Sequence, residues 1–579
     1  MDVIIERDQV VKMRDGTVLK ADVYRPVDDG RYPAVMERIP YGKDGARGGM
    51  VLDPVAAAAS GLVVVAQDTR GQGASDGSAF YPFRDDFDDG FDTAEWIATL
   101  PFSNGKVGAY GVSYGGNSAW QAAVADPPSI GAIAPTQSPI DWSEGWKMLT
   151  RAGVLKWGLT LNWTLSAIAE SQVRKYSRDP EALARRMEIL ADYMDNPKQL
   201  LEMVPLTSVG EIFRDLIGPV DSAQGAPLEY FDDVLYRRVP KAWQNGIGYE
   251  RSHARVRVPV FLTAGWYDVI LGHDLDHFAR MRATGASPEA RDETRLLIGP
   301  WSHGNFTNVV GQVDFGRRSM GASIDMGFGI SPTLIEWFRS KLGGEPTGAT
   351  IEGVAGPRVR VFVQGVNRWR DSDDWPFPGT RFVNWYLRGD GGLSPEAPRP
   401  DEGFDAFVFD PRDPCPTCGG DLVKPPTFPP GPVDQSPILG RRDVLTYTSD
   451  VLAHDVEVIG PVTAVVYGAT SGSGTDWAIK LCDVDESGLT INVCDGIART
   501  EPVADAGAQR VAIDMWGTAM MFRAGHRIRV LVTSSDFPRY ERNPNTGENP
   551  WEATVFEPAL QRVFHDSQRA SYVVLPTIG

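Results

Sequence analysis

The stretch KVGAYGVSYGGNSAWQAAVAD, Lys106 to Asp126, decides how the rest of the chain is read. Its first part, KVGAYGVS (106–113), reads as a buried strand, and YGGNSAWQAAVAD (114–126) reads as a helix. Between them Gly111-Val112-Ser113-Tyr114-Gly115 fits G-x-S-x-G, with Gly116 next. Small residues there let a strained strand-to-helix turn pack against its neighbours and expose a serine hydroxyl. The same pattern recurs at Gly73-Ala74-Ser75-Asp76-Gly77, but no helix starts at Ser75, so Ser113 is the candidate nucleophile.

Working outward, DVIIERDQVV and TVLKADVY flank Asp15-Gly16, a hairpin signal, and PAVMERIP makes a third strand ended by Pro40. GLVVVAQD (61–68) is a buried-type strand, FRDDFDDGFDTAEWIATLP (83–101) a helix and IGAIAPT (130–136) a strand. This alternation predicts a mostly parallel, doubly wound sheet with helices on both faces. The pattern breaks near 142. Residues 144–250 have helical periodicity and no clear strand, as expected of a helical insertion. Strands resume at VRVPVFLTAG (256–265) and TRLLIGP (294–300), and SPTLIEWFRSKLG (331–343) closes this part as a helix. From Pro357 onward short alternating strands separated by Pro- and Gly-rich turns predict an all-β sandwich or jelly roll. The expected layout is therefore 1–143 with 251–350, an insertion at 144–250, and a β unit at 351–579. The segment from Cys415 to Pro432 reads as the least structured.

Composition narrows the function. The 57 Lys and Arg stand against 76 Asp and Glu, a net charge of −19, which repels phosphate backbones and anionic lipid. No nucleic-acid or membrane partner is expected. The 16 Trp and 24 Phe are too many for a disordered chain, and 4 Cys in 579 residues exclude a disulfide framework. The apolar run at the N-terminus stops after Ile5, so no secretory signature is read there, and a cytoplasmic location is expected.

A serine nucleophile needs a base, and the base needs an orienting acid. In strand-to-helix architectures they follow in the order Ser, Asp or Glu, His. Of 7 histidines, His303 in Gly299-Pro300-Trp301-Ser302-His303-Gly304 lies just past a buried-type strand, where open α/β sheets place ligand-facing groups. His454, His526 and His565 fall in the β-rich region and read as surface or turn residues. His253 precedes a strand. His273 and His277 sit on a predicted helix with Asp274 and Asp276, which are rivals for the orienting acid but lie beyond the turn on a helix face; each candidate carboxylate otherwise reads as solvated. The acid should end the preceding strand, and PVFLTAGWYD does so with Asp268. The oxyanion donors are the backbone N–H of Tyr114 and, from the loop Arg38–Lys43, the phenol of Tyr41, which otherwise reads as an aromatic packed at a strand end. Trp146 and Trp163, in a dense Trp set, are candidates for a substrate pocket or for the core of the insertion. Asp141 and Glu144 could hold a substrate amine but read better as a solvated face. Cys415-Pro-Thr-Cys418 is a lone C-x-x-C, suited to free thiols or a local disulfide rather than a zinc site.

These motifs in order reach a family. Ile39-Pro40-Tyr41, Asp68-Thr69-Arg70-Gly71-Gln72-Gly73, Gly111-Val112-Ser113-Tyr114-Gly115-Gly116, Gly265-Trp266-Tyr267-Asp268, Gly299-Pro300-Trp301-Ser302-His303, Arg368-Trp369-Arg370 and Phe537-Pro538-Arg539-Tyr540 resemble the cocaine esterase family, related to X-prolyl dipeptidyl peptidases and α-amino acid ester hydrolases. The resemblance implies an α/β-hydrolase domain with an inserted helical cap and a C-terminal jelly roll. It also implies a triad of Ser113, Asp268 and His303, with Tyr41 and the Tyr114 amide as oxyanion hole. Val269 and Ile270 follow Asp268 where aromatic-ester hydrolases of the family carry an aromatic, so Ile270 is a further pocket candidate. Gly420-Asp421-Leu422-Val423-Lys424 brings charge where an apolar wall is expected. The expected activity is that of a serine carboxylesterase on small-molecule esters with bulky or aromatic groups, through an acyl-enzyme and with no metal or cofactor. The alternatives are an X-prolyl dipeptidyl peptidase, an amidase or acylase, and a non-catalytic binding protein. The oligomeric state, a homo-oligomer included, is left open.

Overall fold

The computed structural model describes the chain outside residues 45–50, 78, 140–147, 219–227, 237–248, 346–353, 355, 423–428 and 501–506. The Asp15-Gly16 turn forms as expected: Gly16 has φ 88° and the Thr17 N–H donates to Asp15 Oδ1. It joins β1 (Val3–Lys12) to β2 (Val18–Pro26) in an antiparallel pair. β3 (Tyr32–Ile39), β4 (Val63–Asp68), β5 (Ser103–Val112) and β6 (Ile130–Thr136) follow. After the insertion come β9 (Phe261–Tyr267) and β10 (Arg295–Ser302), with β7 (Thr150–Arg151) and β8 (Val154–Leu155) lying between. The sheet order is β1-β2-β4-β3-β5-β6-β9-β10, parallel from β4 onward.

The residues of β4 show why this sheet is covered twice. All six are buried, and successive side chains point to opposite faces. Val63 and Val65 join a core with α2 (Asp86–Ala98) and α3 (Tyr114–Ala125). Val64 and Ala66 join a separate core with α1 (Pro54–Ala59) and the helix Ile330–Lys341. Helices therefore lie on both faces.

Between β6 and β9 the described residues are largely helical: Trp157–Trp163, a wider π turn at Thr164–Ala169, Glu170–Tyr176, Pro180–Asp195, Ser208–Ile217 and Glu229–Leu235. Asp179 caps the Pro180 helix through the Ala182 N–H, with proline at its first position. The insertion is not free of strands, however. β7 and β8 form a two-residue hairpin around Ala152 and Gly153, too short to show a period in sequence.

The C-terminal part forms a second sheet, in which Val456–Thr470 pairs with three other strands. Strands Val359–Val363 and Arg368–Ser372, which the sequence texture assigns to that part, instead extend the first sheet beyond β10. Alternation identifies a strand but not the edge it joins. The described part of the Cys415–Pro432 segment is packed rather than loose. Cys415 and Cys418 are buried free thiols beside Cys482. His565 is fully buried against Asp405, not on the surface, whereas His454 is exposed. Among the described residues no helix is long and apolar enough to cross a membrane.

Candidate active site

The turn from β5 into α3 is as tight as its sequence requires. Gly111 has φ 152°, and a Cβ there would lie 2.6 Å from the Gly115 carbonyl carbon. Ser113 has φ 59° and ψ −114°, a conformation that costs a non-glycine residue of order 1–3 kcal/mol. It is held by its N–H donating to Thr136 O and by the Asn117 N–H donating to Ser113 O. The first amides of α3, that of Tyr114 included, have no intrahelical acceptor and carry the positive end of the helix dipole. Ser75 has a different fate: it is buried, donates to Asp68 O and accepts from the Lys20 N–H.

Parallel pairing of β9 with β10 brings two distant residues together. Ser302 is in register with Tyr267, so the residues that follow, His303 and Asp268, emerge side by side at the carboxyl edge. His303 Nδ1 donates to Asp268 Oδ2 over 2.8 Å, and the Ile270 N–H donates to Asp268 Oδ1 over 2.7 Å. Asp268 is fully buried. With its proton on Nδ1, the imidazole keeps Nε2 as an acceptor.

Ser113, His303, Tyr41, Tyr114, Trp163 and Ile270 share one cavity of about 310 Å³. Ser113 and His303 are in its wall with no hydrogen bond between them, a common state of a serine site without substrate. The Trp163 N–H donates to the Tyr41 phenol oxygen over 2.9 Å, so that oxygen's own proton is directed away from the indole. The Tyr114 side chain turns from the cavity: its hydroxyl donates to Asp86 Oδ2 and accepts from the Phe83 N–H, and its ring stacks on Phe83 at 4.1 Å. Trp146, with Asp141 and Glu144, lies outside the described residues.

Four features escape the sequence reading. Asn162 and Ser166 reach the cavity from the insertion, where the π turn shifts helical spacing. Lys156, buried, donates from Nζ to Val269 O beside Asp268, and burial pushes its pKa well below the lysine range. Asp274 is fully buried and accepts from the Ser138 N–H rather than facing solvent. Glu37 also lines the cavity. A charged pair, Glu37-Arg38, inside an otherwise buried strand was its legible signal. Arg38 pairs with Asp86, while Glu37 Oε2 has no partner. Asp421, expected at the pocket, pairs instead with Arg151 and Arg539.

An imidazole oriented by a buried carboxylate, facing a cavity it shares with a serine on a strained elbow, can move a proton between an alcohol and a leaving group. Sequence comparison gives the same class. Residues 15–305 match the X-Pro dipeptidyl-peptidase (S15) family and residues 352–574 match the X-Pro dipeptidyl-peptidase C-terminal non-catalytic domain. The protein is thus a serine hydrolase. It belongs to the S15 family, and it is 34% identical to the cocaine esterase of Rhodococcus sp. (strain MB1 Bresler) over 604 aligned positions, covering 98% of each chain. Among solved structures, an α-amino acid ester hydrolase superposes with a TM-score of 0.74 at 22% identity, covering 100% of this chain and 97% of that one. An aminopeptidase from a marine sediment archaeon, Thaumarchaeota archaeon, gives 0.74 at 21% identity with the same coverage. At these identities the two structures speak for the fold.

Proposed function

We propose that this serine hydrolase is a carboxylesterase for small esters with bulky or aromatic groups, with Ser113 as nucleophile, His303 as base and Asp268 as the orienting acid. The observation that carries the reading is the His303–Asp268 hydrogen bond at the edge of the cavity that holds the strained Ser113. His303 Nε2 takes the Ser113 proton as Oγ attacks the ester carbonyl. The Tyr41 O–H and the Tyr114 N–H stabilise the oxyanion, each worth about 2.7–4 kcal/mol. His303 then protonates the leaving alcohol, and water repeats the sequence on the acyl-enzyme. Asp268 stays a carboxylate and holds the Nδ1–H tautomer. Phe83, Met148, Leu159, Trp163 and Ile270 give the cavity its apolar wall and suit a large hydrocarbon group.

In this reading 1–143 with 251–350 form an α/β-hydrolase domain, 144–250 a helical cap and 351–579 a jelly roll, with strands 359–372 lent back to the first sheet. A burst of para-nitrophenol from para-nitrophenyl butyrate, with a fluorophosphonate label on Ser113, tests the assignment. Ser113→Ala is expected to abolish both and to stay folded; labelling of another residue overturns it. The matched family's description keeps X-Pro dipeptides as a second substrate class. Gly-Pro-para-nitroanilide assayed beside the aryl ester separates the two.

A further inference from the structure

One acidic group in the cavity has no task in the acyl-transfer cycle. Glu37 is 1% exposed, lines the cavity of Ser113 and His303, and its Oε2 has no hydrogen-bond partner. Buried polar atoms without partners are destabilising, and native proteins keep few of them without a reason. On the side of the serine's helix the carboxyl is covered by no side chain, because residue 115 is glycine; a Cβ there would lie 3.5 Å from Glu37 Oε1. Ile39 borders the same glycine and gives the carboxyl an apolar neighbour there, while the buried Tyr110 phenol lies within electrostatic reach of it.

We infer that Glu37 is the hydrogen-bonding floor of this cavity and selects esters that carry an O–H or N–H donor a short chain away from the scissile carbonyl, an inference that rests on the esterase reading above. A purely hydrocarbon group placed over the carboxyl leaves it dry and unpaired, whereas a donor-bearing group supplies the missing partner. Burial lifts the Glu37 acid to about 8, so near neutral pH it is a carboxylic acid that can both donate and accept. A substrate hydroxyl, which also does both, matches it. A substrate amine takes its proton and leaves an ion pair. Discrimination of this kind is strong because the analogue lacking the donor strands a buried polar group, whereas an added methylene changes little.

The test compares para-nitrophenyl ω-hydroxyalkanoates and ω-aminoalkanoates of increasing chain length with their methyl-terminated isosteres, in the wild type, Glu37→Gln and Glu37→Leu. At the chain length that reaches the floor, the wild-type ratio of donor-bearing to methyl-terminated kcat/KM should exceed one. It should fall by about tenfold or more in Glu37→Leu and less in Glu37→Gln, which keeps a donor and an acceptor. A role confined to packing would change both substrates equally. Equal ratios in wild type and Glu37→Leu at every length, with hydrolysis still lost in Ser113→Ala, overturn the inference and leave the esterase reading standing. Loss of hydrolysis of every substrate in both folded variants overturns it too, placing Glu37 in the chemical step. A wild type that hydrolyses no ester removes both.

Discussion

Tyr41 brings a phenol to the wall of the cavity that holds Ser113 and His303. Its oxygen accepts from Trp163, and its proton is the proposed second oxyanion donor. Tyr41→Phe should lower kcat by about 10²–10³-fold with a smaller change in KM, measured by steady-state kinetics on an aryl ester. Glu37 makes a different prediction, one of stability. Its carboxyl rises from the ordinary 4.5 to about 8 on folding, so the folded protein keeps a proton that the unfolded chain releases. Stability from this group is therefore greatest below about pH 4.5, falls with rising pH at up to about 1.4 kcal/mol per unit, and levels off above about 8. Urea unfolding of Glu37→Gln and the wild type across that window should show the variant gaining on the wild type as pH rises. A constant gap would mean that Glu37 titrates normally.

At the scale of elements, the elbow is a geometric statement that the sequence made legible. Only glycine suits residue 111, where backbone from Gly115 occupies the place of a Cβ. Gly111→Ala should cost more stability than an exposed Gly→Ala change and remove activity with it, read from the thermal midpoint and the butyrate burst. The strands were readable because buried parallel strands are continuous apolar runs, and His303 and Asp268 were findable because sheet topology fixes where such residues emerge. What could not be read were matters of partner choice. Two strands after Pro357 join the first sheet rather than the second, a hairpin of two-residue strands hides in helical sequence, and His565 and Asp274 are buried by neighbours far along the chain. Asn162 and Ser166 were missed for the same reason, since a cavity is bounded by residues that no short motif unites, whereas the charged pair Glu37-Arg38 in a buried strand was a signal left unused.

Across the whole molecule, the insertion and the second sheet are joined by buried charge. Arg151, on the β7–β8 hairpin, donates to the carbonyls of Asp495 and Asp514, pairs with Asp421 and Asp495, and lies over the Trp516 ring at 3.9 Å. Arg539 shares Asp495 and Asp421. Removing one member of such a set leaves the others uncompensated, so Arg151→Met should destabilise by about 3–5 kcal/mol with little relief from added salt. Calorimetry at low and high ionic strength checks this; an exposed, screened pair would give a small and salt-sensitive loss.

Strands 359–372 bear on how such a chain can recombine with its relatives. Because they hydrogen-bond to β10 and to each other, the C-terminal half cannot be exchanged cleanly at the change of texture near 351. A chimera spliced there asks a foreign strand to match the register Leu296–Val359, whereas one spliced between Ser372 and Arg381 keeps that seam within a single parent. Viable hybrids should therefore accumulate at the later junction.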